Sequence, residues 1–477
     1  MNTQSPRIAP ARAIIDLSLT EVSALIASGT ATPTEVTEAA LNRIAQLEGG
    51  LTAYQHLLAD RARDKAALAT QERQAGLDRG PLHGVPLALK DLCETEFAPT
   101  AAGMALYRDN RTGRDATVTA RLEQAGAVIL GKLAMTEGAY AGHHPDMPVP
   151  KNPWDARLWA GSSSSGSGVA VAAGLCFGAL GSDTGGSIRF PSHANGITGL
   201  KPTWGRVSRH GVFALADSLD HVGPMARSAA DCAAMLQAIA GADAADPTAL
   251  TAPVPDYLAG LGAPIRGLRI GVDHAAILDA AAPDTAAMMQ AAIAVFAALG
   301  ALIVPVTLPF PDEMTDHWTA LCAIEVALAH AATYPARAAE YGPSLGGLLQ
   351  AGHALDALDV GRAMQWRLGF NGALACAMEG VDMVILPVVG APLPWLDNAI
   401  GAPSVDPANP DLGNLLRFTA PADLAGLPAL TLPGGFDDRG GPMGFQLMGR
   451  ALDEGGLLRA GHAFQSVTDW HLRRPPC

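Results

Sequence analysis

Hydrophobic and polar positions along this chain follow two patterns: stretches with the period of a helix, and short apolar runs typical of buried strands. Ser18 and Glu21 form a capping-box signature ahead of a periodic stretch that Gly29 stops. Thr32, Pro33 and Glu35 supply N-cap, first-turn proline and N3 carboxylate for a second helix, with Val36, Ala40, Leu41 and Ile44 on one face. Residues 52–76, rich in Ala, Arg and Gln, predict a further helix. From Gly84 the texture changes. GVPLALKD (residues 84–91) predicts a strand ending in a lysine, Thr117–Gln124 a helix, and residues 127–131 a buried strand. A small-residue helix over 169–176 and a strand over 177–183 follow, and Ser228 with Asp231 boxes the start of a helix carrying Met235, Leu236 and Ile239. Residues 267–273, 285–299 and 301–306 read strand, helix, strand, and Met383–Pro387 is another all-apolar strand. Strands alternating with helices, several apolar throughout, predict an α/β fold. The expectation is a single large domain whose central mixed, mainly parallel β-sheet is covered by helices on both faces. Residues 307–370 and 388–415 are the least patterned and are expected to carry loops and local helices around a site.

Charge narrows the range of partners. With 32 basic and 46 acidic residues the net charge is −14, which disfavours nucleic acid and anionic membrane surfaces. The 52 glycines and 35 prolines follow no collagen period, so they read as turns in a globular chain. Aromatic residues make up only 5%, which leaves the core to Ala, Leu, Val and Ile. Cys93, Cys176, Cys232, Cys322, Cys376 and Cys477 form no C-x-x-C pair and predict free thiols, with no disulfide framework and no zinc site. No secretory signal is visible in the first residues. The longest apolar stretch, residues 291–306, is broken by Gly300 and Pro305 and is too short for a bilayer, so a cytoplasmic location is expected.

Candidate chemistry concentrates in AGSSSSGSGVAVAAG (residues 160–174) and LGSDTGGSIRFP (residues 180–191). No Gly-Lys-Ser/Thr follows the first, which argues against a P-loop, and neither segment contains G-x-S-x-G. Asp183-Thr184-Gly185 matches the aspartic-protease tripeptide, but that chemistry needs a second such carboxylate and the chain has none. A flexible linker is excluded because a helix pattern and an apolar strand follow at once. Ser187, after two glycines, fits better, since glycines let successive N–H groups face a developing oxyanion. A serine nucleophile needs a base. His193 is the nearest histidine and reads as a cap or packing residue, whereas Lys90, at the end of an apolar strand, is placed to lose its proton through burial.

With these segments in hand, the chain resembles the amidase signature family. GVPLALKD, GSSSSGSG and DTGGSIRFP carry the resemblance, and NPWD, GLKPTWGRVSR, SLDHVGPMAR, LAGLPALTLPGGF and GPMGFQLMGR extend it from about Thr20 to Leu458. The resemblance implies a catalytic domain over 76–477 with a helical segment, 1–75, packed on it. It also implies a Ser-cisSer-Lys triad: Ser187 as nucleophile, Lys90 as base, and a bridging serine after a cis peptide. Four serines, Ser162 to Ser165, compete for the bridge, and the family spacing of 24 selects Ser163 (187 − 163 = 24). Thr184, Gly185, Gly186 and Ser187 would form the oxyanion hole, with Asp183 and Arg189 as structural support. Ser162 and Ser165 depart from the family's usual glycine or small apolar residue, yet remain small.

The implied enzyme is an amidohydrolase acting on carbon–nitrogen bonds other than peptide bonds, with no cofactor and no metal. Its substrates would be small amides, esters or carbamates, including urethanase-like cleavage, and its assembly a homodimer. Tyr140 and His144 are candidates for the substrate pocket; adjacent His143 and His144 lack the acidic or cysteine neighbours of a metal site. Trp318, Trp366 and Trp395 read as packing residues. Two alternatives remain. One is the glutamine-hydrolysing component of a tRNA-dependent amidotransferase, disfavoured because Leu415, Leu416 and Arg417 offer no acid before FTAPADLAG. The other is a catalytically silent scaffold, disfavoured because Lys90, Ser163 and Ser187 are all present.

Overall fold

A computed structural model of the chain describes residues 12–279, 281–396, 401 and 412–477. Its strands are β1 (Tyr54–Leu57), β2 (Pro86–Lys90), β3 (Val128–Leu133), β4 (Gly178–Asp183), β5 (Thr198–Lys201), β6 (His221–Ala226), β7 (Arg269–Val272), β8 (Leu302–Pro305), β9 (Met383–Pro387), β10 (Ala429–Phe436) and β11 (Pro442–Gly449). They form one 11-stranded sheet in the order β1-β3-β2-β4-β6-β5-β10-β11-β9-β7-β8. Every residue of β2, β3, β4, β6, β9 and β11 is buried, so helices cover both faces.

The α/β class and the single mixed sheet agree with the sequence pattern; the balance of strand directions does not. Only β2–β3, β2–β4, β7–β8 and β7–β9 are parallel. The other neighbours, β1–β3, β4–β6, β5–β6, β5–β10, β10–β11 and β9–β11, run antiparallel. An all-apolar strand reports that both its faces are covered, not which way its neighbour runs. The antiparallel centre is also built from β5, β6, β10 and β11, whose Gly199, Gly223, Pro224, Pro433 and Gly434 read as turn chemistry in the sequence. The register of β10 against β11 shifts between Pro433 and Gly435, a bulge that accommodates the proline.

Local signals near the N-terminus hold. Ser18 and Thr32 cap helices Leu19–Ala27 and Pro33–Leu51 through complete capping boxes with Glu21 and Glu35. Val36, Ala40, Leu41 and Ile44 are all buried. The continuous helix expected over 52–76 is instead β1 followed by helix Ala59–Gln74. Thr52, left-handed at φ 51°, ends the preceding helix and turns Tyr54 onto Leu133 of β3. Residues 307–370 fold around helices Met314–Ala329 and Pro343–Ala354 and the start of Ala357–Ala377. Of the other unpatterned stretch, residues 397–400 and 402–411 lie outside the described residues. All six cysteines are free, and among the described residues no helix is long and apolar enough to cross a membrane.

Candidate active site

β2 carries Lys90 into the core at its C-terminal end, where the side chain is 0% exposed. Its Nζ donates to Ser163 Oγ at 2.6 Å and to Ser182 Oγ at 2.8 Å. Two neutral hydroxyls do not balance an ammonium. Burial therefore drives Lys90 down from 10.5 to about 7, against a weaker upward pull from Cys93, Asp220 and Asp183.

The serine run sorts itself by partner. Ser163 meets Lys90, Ser164 Oγ donates to the Ser182 carbonyl (3.2 Å), Ser165 Oγ lies 3.1 Å from His143 Nε2, and Ser167 Oγ donates to the Leu180 carbonyl (2.9 Å). Ser162 is half-buried, and the Ser162–Ser163 peptide is cis, as the resemblance implies. Helix Ser165–Ala173 then packs its small residues against the sheet, every one of them buried.

β4 ends at Asp183, and the chain turns through residues 184–188 into helix Arg189–Asn195. Asp183 Oδ1 accepts the Gly186 N–H (2.6 Å), and Oδ2 accepts those of Ile188 (3.0 Å) and Arg189 (3.3 Å). Arg189 pairs with Asp183 (2.9 Å) and Asp423 (2.6 Å), and also donates to the Thr419 carbonyl and Gln446 Oε1. Burial alone would raise the Asp183 carboxyl, but the Arg189 charge overcomes it and holds the group well below the usual carboxylate range. Asp183 and Arg189 thus form a buried ion pair that ties the loop to the helix after it.

The loop's carbonyls are tied down as well. Trp318 Nε1 donates to the Thr184 carbonyl (2.9 Å) and Thr419 Oγ1 to the Gly185 carbonyl (2.6 Å). Because a trans peptide points its N–H opposite its C=O, tying the Thr184 carbonyl also orients the Gly185 N–H. The glycines are sterically required. A Cβ at Gly185 would lie 2.6 Å from the Trp318 ring, and one at Gly186, where φ is +133°, 2.5 Å from the Phe190 ring.

The four N–H groups expected to face an oxyanion differ in their partners. The Gly186 N–H is committed to Asp183 and belongs to the clamp, whereas those of Thr184, Gly185 and Ser187 have no acceptor among the described residues. Between residues 163 and 203 every residue is buried except Ser187. Its carbonyl accepts the Ser164 N–H at 3.3 Å, which sets the two serine segments side by side. The structure joins Lys90 to Ser163 directly, and among the described residues the Ser163 and Ser187 hydroxyls are not hydrogen-bonded to each other.

The remaining candidates divide. Tyr140 is half-buried beside the loop whose Thr136 N–H donates to the Ser163 carbonyl (3.2 Å). His144 is used locally, with Nδ1 accepting the Asp146 N–H (3.1 Å), while His143 is the histidine that reaches the serine run. His193 packs against β11, Nδ1 accepting the Gly444 N–H at 2.9 Å. Trp366 stacks on Phe370 and His317, and Trp395 lies between Arg157 and Arg439. No group of three metal-ligating side chains occurs among the described residues.

Sequence reasoning passed over Ser182, Asp220 and Asp423. Asp220 accepts the Thr184 hydroxyl (2.5 Å) and the N–H groups of Leu215 and Ala216, and burial raises it to about 6. Its place in SLDHVGPMAR was the available signal.

A buried lysine on two hydroxyls beside a clamped glycine loop with one accessible serine defines a class of hydrolase, and comparison with known proteins gives the family. The amidase family model matches residues 35–458, and the chain belongs to that family. AmiD of Mycobacterium tuberculosis, an amidase by name, is 49% identical over 97% of both chains. A component of the glutamyl-tRNA(Gln) amidotransferase of Roseiflexus castenholzii is 39% identical over 97% of this chain and 98% of its own. The peptide amidase of Stenotrophomonas maltophilia superposes with a TM-score of 0.83 at 31% identity, over 96% of this chain and 98% of its own. The protein is a hydrolase acting on carbon–nitrogen bonds other than peptide bonds.

Proposed function

We propose that the chain cleaves small amides, anilides or carbamates through an acyl-enzyme on Ser187. The observation that carries this reading is the 2.6 Å contact of a buried Lys90 with Ser163, beside the one accessible residue of a buried segment. Ser187 Oγ attacks the substrate carbonyl as its proton passes to Ser163 and the Ser163 proton to neutral Lys90. The N–H groups of Thr184, Gly185 and Ser187 receive the developing oxyanion. The proton returns to the leaving nitrogen, the C–N bond breaks, and water hydrolyses the acyl-enzyme. In a carbamate the same attack expels the same protonated nitrogen.

Apolar groups border the loop, with Trp318 and Leu416 against Gly185 and Phe190 against Gly186. They favour acyl groups of low polarity. The amidotransferase reading needs an acid before residues 418–426, where Leu415, Leu416 and Arg417 stand. A free-standing hydrolase is therefore the better reading.

Labelling with a fluorophosphonate, located by mass spectrometry, tests the nucleophile, and a panel of primary amides, anilides, esters and carbamates tests the substrate class. Label on Ser187 and turnover of apolar anilides or carbamates are expected. Label elsewhere, or full turnover by Ser187→Ala, overturns the mechanism; turnover of glutamine alone overturns the substrate class.

A further inference from the structure

β4 and β6 pair from Asp183–His221 at the nucleophile end to Gly178–Ala226 at the other. Five residue steps separate the ends, about 17 Å. At the far end Arg227 follows β6 and lines a pocket of about 260 Å3 formed with the two termini of the described chain. In a chain of net charge −14, this pocket gathers Arg12, Arg227, Arg474, His462 and His471.

Two of the carboxylates nearby are already engaged, while Asp16 acts on both Arg227 and Arg474 from beyond ion-pair distance. Glu21 pairs with Arg12 at 2.9 Å and caps Ser18; Asp231 accepts from Thr20 and Ser228. Arg227 is 3% exposed, its Nη1 donates to the Leu17 carbonyl, and its Nε and Nη2 have no hydrogen-bond partner among the described residues. Arg474 donates to the carbonyls of Asp16, His471 and Arg473, and among the described residues its Nε is also unpartnered. Among the described residues neither arginine has a carboxylate within ion-pair distance.

A buried guanidinium with idle N–H groups is costly unless an acceptor arrives. Burial and the neighbouring Arg474 push Arg227 down to about 9, against a weaker upward pull from Asp231, Cys176 and Asp16. We propose that this pocket binds a phosphoryl group, as inorganic phosphate or as the monoester of a small metabolite, and thereby ties the segment around Ile14–Asp16, the end of β6 and the C-terminal segment together. Guanidinium groups arrive from three separate parts of the chain. A tetrahedral dianion presents oxygens in several directions, whereas a carboxylate presents two in one plane.

The test is calorimetric titration and thermal unfolding of the full chain with sodium phosphate and with phenyl phosphate, against sodium chloride at matched ionic strength. Saturable binding with a concentration-dependent rise in Tm is expected. Arg474→Gln should weaken it about tenfold or more, and Arg12→Gln, at the pocket's exposed rim, should weaken it less while leaving the fold intact. Amide hydrolysis should be unchanged in both. Tighter phosphate points to the free ion and tighter phenyl phosphate to a monoester, and either supports the site. Binding of both ligands weaker than about 10 mM overturns the proposal. So does wild-type affinity in both folded variants.

Discussion

Two fully buried cations serve the same loop and are treated in opposite ways. Arg189 meets two carboxylates, a carbonyl and a side-chain amide, so its charge is balanced and its hydrogen bonds are satisfied. Lys90 meets two hydroxyls and, among the described residues, no carboxylate within ion-pair distance. The first arrangement holds its charge as a clamp, whereas burial lowers Lys90 to about 7 and suits it to the base proposed above. What surrounds a buried cation, more than the burial itself, separates a structural group from a reactive one.

The contrast can be broken from either side. The largest effect expected is from Ser187→Ala, which removes the proposed nucleophile and should lower kcat/KM by about 10^4-fold or more with the fold retained by circular dichroism. Lys90→Ala should follow, at about 10^3–10^4-fold, and Lys90→Arg should fail to rescue it because a guanidinium stays charged. Substitution in the clamp acts on stability. Asp183→Asn leaves Arg189 short of counter-charge and sets an NH2 donor where one of the two acceptor oxygens stood, and should cost about 3–5 kcal/mol in denaturant unfolding. The smallest effect is from His193→Ala. Its imidazole packs on β11, so kcat/KM should stay within a few-fold of the parent; a loss matching that of Lys90→Ala would make His193 the base instead.

Much of the centre was legible because it is written in local chemistry. Capping boxes at Ser18, Thr32 and Ser228 mark helix starts through bonds within a few residues. The lysine ending an apolar strand and the glycines before Ser187 likewise announce themselves at short range. What escaped depends on partners far along the chain. Asp423 reaches Arg189 across 234 residues, and Trp318 reaches the Thr184 carbonyl across 134. β5, β6, β10 and β11 were unreadable as strands because glycine and proline sit within them, yet they form the antiparallel middle of the sheet. The Gly186 N–H was assigned to the oxyanion from its position in the motif, and only the Asp183 carboxylate lying 2.6 Å away reassigns it.

The central claim is that Lys90 acts uncharged, and the pH dependence of fluorophosphonate labelling at Ser187 reads this most directly. Because burial lowers the lysine to about 7, the neutral fraction grows as pH rises. The labelling rate should therefore climb about tenfold per unit below that midpoint and level off above it. A rate that stays flat from about pH 5 to 9, or that falls as pH rises, contradicts the account.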